Sequence, residues 1–142
     1  MVDAGLLAKV KEKIDAGADS ASPDDLLTMF ELYKAIAEEN EDLKEELEDM
    51  DIAVQMIVTD QDKKFWITAK EGDLQYGAGE TDNPSFTFSA TMAVGAGMLF
   101  GEVDATSAYM AGDITVEGNL QDAMAFQEII ELAMEAYEDL AE

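Results

Sequence analysis

Three observations in this 142-residue sequence predict an α/β domain of the α+β kind, a five-stranded sheet whose one apolar face is covered by helices. The hydrophobic period falls from about 3.6 to 2 near residue 51 and returns to about 3.6 near residue 120. A strand such as "GDITVE" at 112–117 sets Ile114 and Val116 against Asp113, Thr115 and Glu117, so it has a single face to bury. The helix that follows spreads its apolar side chains over more than a third of its circumference, wider than a surface helix needs. It either packs on two sides or lines a cavity.

The elements follow in order. Leu6, Leu7, Val10 and Ile14 stand at helical spacing within 3–16, and Gly17 suits a C-cap. Residues 17–25, "GADSASPDD", read as a linker that ends in Ser22-Pro23-Asp24-Asp25, an N-cap with Pro at the first helical position and acids in the first turn. From there Leu26, Met29, Tyr33, Ile36, Asn40, Leu43, Leu47 and Met50 alternate three- and four-residue steps. That stripe fits a helix broken near Asn40 and restarted, or else one continuous coiled coil. Ile52, Val54, Met56 and Val58 begin the strands, "DQDKK" is a turn into "FWITAK", and "EGD" is a turn into "LQYGAG", which gives a three-stranded meander. "SFTFSATM" at 85–92 is the fourth strand, with Phe86, Phe88, Ala90 and Met92 on one face. An apolar, Gly-rich segment from 93 to 111 then leads through a helix to the fifth strand and to the final helix from about Leu120.

Composition excludes much chemistry. Cys, His and Arg are absent, so disulfides, thiolate nucleophiles, imidazole general bases and the usual zinc, copper and haem ligand sets cannot be assembled. No catalytic residues, no metal and no cofactor are expected. The segment "VGAGMLFG" spaces its glycines G-x-G-x-x-x-G, which is not the dinucleotide fingerprint, and the acids of 38–51 lack the calcium-loop spacing. The net charge of −25, from 33 acids against 8 lysines, repels phosphate backbones and anionic membranes, so nucleic acid is not an expected partner. No apolar run reaches the roughly 18 residues of a membrane span, and neither end carries an export or lipidation signal, so a cytoplasmic location is expected.

Met92, Met98, Met110, Met124 and Met134 accompany Phe86, Phe88, Leu99, Phe100, Tyr109 and Phe126 in the last third of the chain. Thioethers adapt to irregular shapes, so the group fits either an ordinary core or an apolar pocket.

The stretch "FGEVDATSAYMAGDITVEGNLQDAMAF" resembles the signature of the sterol carrier protein lipid-transfer domain family. Gly101, Ala108-Tyr109, Gly112, Gly118-Asn119 and Ala123-Met124 fall in register with it, and Trp66 in "FWITAKEGDL" matches a tryptophan common in the family's second strand. The resemblance covers about residues 25–142. It implies a five-stranded mixed sheet, helices on one face, and an apolar tunnel between sheet and helices that binds fatty acyl chains, sterols or similar lipids without catalysis. On this reading residues 23–142 form the lipid-binding domain. The residues expected to meet the ligand are Trp66, Phe86, Phe88, Met92, Met98, Leu99, Phe100, Tyr109, Met110, Ile114, Met124, Phe126, Ile130 and Met134. Where the family commonly carries lysines near the fifth strand, this chain has Glu102, Asp113 and Glu117. An uncharged or cationic head group is therefore easier to accommodate than a coenzyme A moiety. Residues 1–22, an extension with a short helix and linker, are expected to pack on their own domain or to mediate self-association as a homo-oligomer. The alternative function is a protein-interaction module acting through the acidic N-terminal helices, with the sheet as scaffold.

Overall fold

The computed structural model describes residues 2–141. Helix α1 spans Ala4–Ala16 and starts where the Asp3 carboxylate accepts the Leu6 N–H at 3.0 Å. Gly17 ends it at φ 94°, and a short 3-10 turn, Ala18–Ser20, leads to α2, Pro23–Glu39. The Asp25 carboxylate accepts the Ser22 N–H at 2.9 Å and lies 3.4 Å from the Lys13 ammonium. Asp25 is buried, so this ion pair fastens α1 to the start of α2. Val10 is fully buried as well, which covers much of the apolar face of α1 within the chain itself.

The helical stripe breaks at Asn40. Its side-chain oxygen accepts the Leu43 N–H at 2.9 Å and starts a new helix, α3, over Glu41–Glu48. A short amide that competes with the backbone is disfavoured inside a helix and favoured at a cap, and so the continuous coiled coil does not form. Leu26, Met29, Tyr33, Ile36, Leu43 and Leu47 are all buried on the side that faces the sheet.

That sheet has five strands: β1 Asp51–Val58, β2 Lys63–Lys70, β3 Asp73–Ala78, β4 Phe86–Ala90 and β5 Thr115–Gly118, in the spatial order β3-β2-β1-β4-β5. Strands β1 and β4 run parallel and every other pair is antiparallel, so the sheet is mixed. Register sets Val54 beside Ile67 and Phe86, and Met56 beside Phe65 and Phe88, on the helix-covered face. Gln55 faces the other way. It holds the 79–85 connection across the sheet, donating to the carbonyls of Phe65 and Gly79 and accepting the Thr81 N–H at 2.8 Å.

The fourth strand is shorter than its alternation predicts. Thr91 caps a helix α4, Met92–Leu99, and the Met92 N–H donates to Asp60 at 2.8 Å, so Met92 begins a helix instead of extending the strand face. The segment expected to hold one helix contains two, α4 and α5, the latter over Ala105–Ala111. Regular pairing in β5 begins at Thr115, three residues later than expected, because the Asp113 and Ile114 N–H groups close onto the Ala108 carbonyl at the end of α5. The long helix α6, Leu120–Ala141, completes the covering layer.

Tyr33 locks two of these helices together, its hydroxyl donating to the Leu99 carbonyl at the end of α4. Burial pushes its phenol well above the usual tyrosine pKa. Tyr33→Phe is expected to cost about 1–2 kcal/mol, since the carbonyl is left buried without its donor. A urea melt reads that loss as a lower midpoint at unchanged slope. The tyrosine's contribution is complete below the unfolded value of about pH 10 and is lost as the pH rises through the folded one. Above pH 10 the gap between the two proteins should therefore close.

Candidate functional site

Three spaces lie in a row between α6 and the segment from α4 to β5, and they share walls. The first is a groove of about 200 Å³ lined by Tyr109 of α5, Ile114, Val116 of β5, and Leu120, Ala123 and Met124 of α6. Of its lining residues only Thr106 and Gln127 have polar side chains apart from the Tyr109 hydroxyl. Tyr109, Leu120 and Met124 are 46%, 51% and 70% exposed, a concentration of large apolar surface in water at one edge of the molecule. Behind the groove is a waist of about 30 Å³, enclosed by Phe86 and Phe88 of β4, Phe126 and Ile130 of α6, and Met98 of α4. The three rings stand 6.1–6.4 Å apart, centroid to centroid. Beyond the waist a cleft of about 420 Å³ opens between the 101–105 segment and α6. Its lining includes Glu102, Asp104, Glu131, Glu135 and Glu138 and no lysine.

Local sequence explains the arrangement. A Cβ on Gly97 would sit 2.6 Å from a Val103 methyl, and the N–H groups of Glu102 and Val103 both donate to the Gly97 carbonyl. Glycine there lets the chain fold back on α4 and sets α5 beside α6. At the N-terminus of α5 the Asp104 carboxylate accepts from the Ser107 hydroxyl at 2.8 Å and from the Ser107 N–H at 3.2 Å. Those two bonds lead in holding its pKa below the usual aspartate value, with a smaller contribution from Gln127. Gln127 spans the gap: its amide nitrogen donates to Asp104 at 3.1 Å and to Glu131 at 3.0 Å, and its oxygen accepts from the Thr106 hydroxyl at 3.2 Å. Gln127 and Ala105 border all three spaces.

The residues expected at a ligand divide accordingly. Phe86, Phe88, Met98, Tyr109, Ile114, Met124, Phe126, Ile130 and Met134 line one or more of the spaces. Met92, Leu99 and Phe100 are buried away from these linings, and Met110, 81% exposed, lies outside the groove. Trp66 is not brought together with them. Register turns it to the face opposite Phe65 and Ile67, where it pairs with Gly77, and a Cβ on Gly77 would meet its indole at 2.8 Å. There the ring covers a glycine on the open side of the sheet. Nor is the expected tunnel open from end to end, because the Phe86, Phe88 and Phe126 rings narrow it to the waist.

The residue that sequence reasoning missed is Gln127. One signal was available: Ala123, Gln127, Ile130 and Met134 form a stripe of four- and three-residue steps on α6, and Gln127 is its one polar member. Among the described residues no group of three acidic side chains is placed to hold a metal ion, and no helix is long and apolar enough to cross a membrane.

The model of the SCP-2 sterol transfer family matches residues 30–131. In fold the chain is similar to the sterol carrier protein domain 2 of Helicoverpa armigera, at 22% identity and a TM-score of 0.60, over 82% of this chain and 94% of that one. It is also similar to sterol carrier protein 2 from Yarrowia lipolytica in its apo form, at 14% identity and a TM-score of 0.59, over 75% and 90%. A third similarity is to the stereoselective inverting sec-alkylsulfatase Pisa1 from Pseudomonas sp., at 15% identity and a TM-score of 0.61, over 81% of this chain but 17% of the sulfatase. The chain spans about one sixth of that enzyme's length. No curated protein matches the chain in sequence.

Proposed function

The chain belongs to the SCP-2 sterol transfer family, and from that premise we propose that it is a non-enzymatic, cytoplasmic carrier of an apolar small molecule such as a fatty acyl chain, a sterol-like molecule or another lipid. The observation that carries this reading is the apolar groove of Tyr109, Ile114, Leu120 and Met124, which leads inward to the aromatic waist. Apolar surface moved from water into such a site gains roughly 25 cal/mol per Å². The tail occupies the groove and extends toward Phe126, while the head group emerges at the acidic cleft.

That cleft sets the preference among head groups. With five carboxylates in its lining and none of the chain's lysines, it repels a phosphate-bearing head and accepts a neutral or cationic one. Calorimetric titration with tetradecanol is expected to give a dissociation constant in the micromolar range. Myristoyl-coenzyme A should bind more weakly, and added salt should narrow the difference as the Debye length falls to about 10 Å or less. Native mass spectrometry of the purified protein, with solvent extraction, should identify a co-purified lipid. If no lipid co-purifies and tetradecanol does not bind, the carrier reading falls, and the acidic helices α2 and α3 become the surface to test for a protein partner.

A further inference from the structure

We propose that α5 is a hinged lid over the ligand path and that Gln127 is the latch that decides which chain lengths the path admits. The proposal rests on the carrier reading above and adds to it a gate and the residue that works it.

The lid character of α5 follows from how little holds it. Of its seven residues only Ala108 is buried, while Tyr109 at the groove and Met110 outside it are exposed. It is flanked by Gly101 and Gly112, at φ 80° and 83°, a backbone region that glycine enters freely. Among the described residues, the side-chain hydrogen bonds that join α5 and its cap to another element both pass through Gln127: one to Asp104 and one from Thr106. A short element with one buried side chain is drawn from the low end of local stability.

Closed, the path is too small for a whole lipid. The groove holds about 200 Å³ against the roughly 300–1,000 Å³ of small-molecule sites, and the waist of about 30 Å³ is narrower still. Groove, waist and cleft meet at Ala105 and Gln127, so swinging α5 outward joins them into one passage within the usual range. A short chain fits the groove with the latch made. A long one has to open it, and its apparent affinity is reduced by the fraction of molecules that are open.

Two variants separate the latch from mere space filling. Gln127→Met keeps the length of the side chain and loses its hydrogen bonds, and Gln127→Glu keeps the shape and sets a third carboxylate against Asp104 and Glu131. In the ligand-free protein, amide hydrogen exchange over 105–111 is expected to quicken roughly tenfold for Met, the equivalent of about one net hydrogen bond, and further for Glu, with exchange in the β1–β4 core unchanged. Tetradecanol should bind both variants about tenfold more tightly than it binds the natural protein, and octanol should gain markedly less. Unchanged exchange in α5, or equal changes for octanol and tetradecanol, overturns the latch. If neither alcohol binds any of the three proteins, the carrier reading and the gating role fall together, while the exchange rates still decide whether Gln127 holds α5.

Discussion

Phe126→Asp is expected to leave the domain unfolded at 25 °C, whereas Met124→Asp, two residues earlier on the same helix, should melt within about 0.5 kcal/mol of the natural protein. Phe126 is 3% exposed and packs against Phe86 and Phe88 at 6.1 and 6.3 Å. Truncating such a ring costs about 3–5 kcal/mol, and the carboxylate put in its place is buried with no cation in reach, which costs several more. A domain of this size has roughly 5–15 kcal/mol to lose. Met124 is 70% exposed at the rim of the groove, so its charge stays in water and only ligand binding suffers. Circular dichroism reads the first outcome and titration with tetradecanol the second. A cooperative melt near the natural midpoint for Phe126→Asp would show that the rings do not form a structural wall.

From the sequence alone these two side chains looked equivalent, since both belong to the wide apolar face of the last helix. Their difference is angular: two residues on a helix are about 200° apart, and which side meets the sheet depends on contacts made far away in the chain. Features set by local chemistry were legible. The break at Asn40, the Pro23 helix start and the five strands in order all rest on capping, turn and period signals within a few residues. The alternation of "FWITAK" opposes Trp66 to Phe65 and Ile67, so the period of two and the resemblance to a family tryptophan point to different faces of the sheet. The helix at Met92–Leu99 is hidden by Gly95 and Gly97, which lower helix propensity; at Gly97 a Cβ would meet a Val103 methyl at 2.6 Å, and at Gly95 it would displace the flexible end of Met56. The waist had no local signal at all, because it arises where rings from β4 and α6 meet, about 40 residues apart in sequence.

Gly118→Ala is expected to cost about 2–6 kcal/mol and to weaken tetradecanol binding, although the residue touches no proposed ligand. Gly118 has φ 109°, a conformation in which any other residue is strained by about 1–3 kcal/mol. An added Cβ would also lie 2.7 Å from the Ser85 carbonyl oxygen and 2.9 Å from the Phe86 Cα. Both are backbone atoms at the start of β4 and cannot step aside as a flexible side chain would, so the clash adds about 1–3 kcal/mol. The next residue carries the disturbance onward. The Asn119 N–H donates to the same Ser85 carbonyl at 2.9 Å, and its side-chain oxygen accepts from the Gln121 and Asp122 N–H groups at 2.9 and 3.2 Å, which starts α6. Pushing β5 off β4 therefore shifts that start and moves Leu120, Ala123 and Met124 at the groove. Gly112→Ala is the control, since Gly112 has φ 83° and open space where the Cβ would go, so only the backbone strain of about 1–2 kcal/mol applies. In urea melts the loss at 118 should exceed that at 112, the excess reading the clash together with the difference in backbone strain. Equal losses would mean that strain alone selects glycine at 118, and that the close approach of β5 to β4 does not govern where α6 begins.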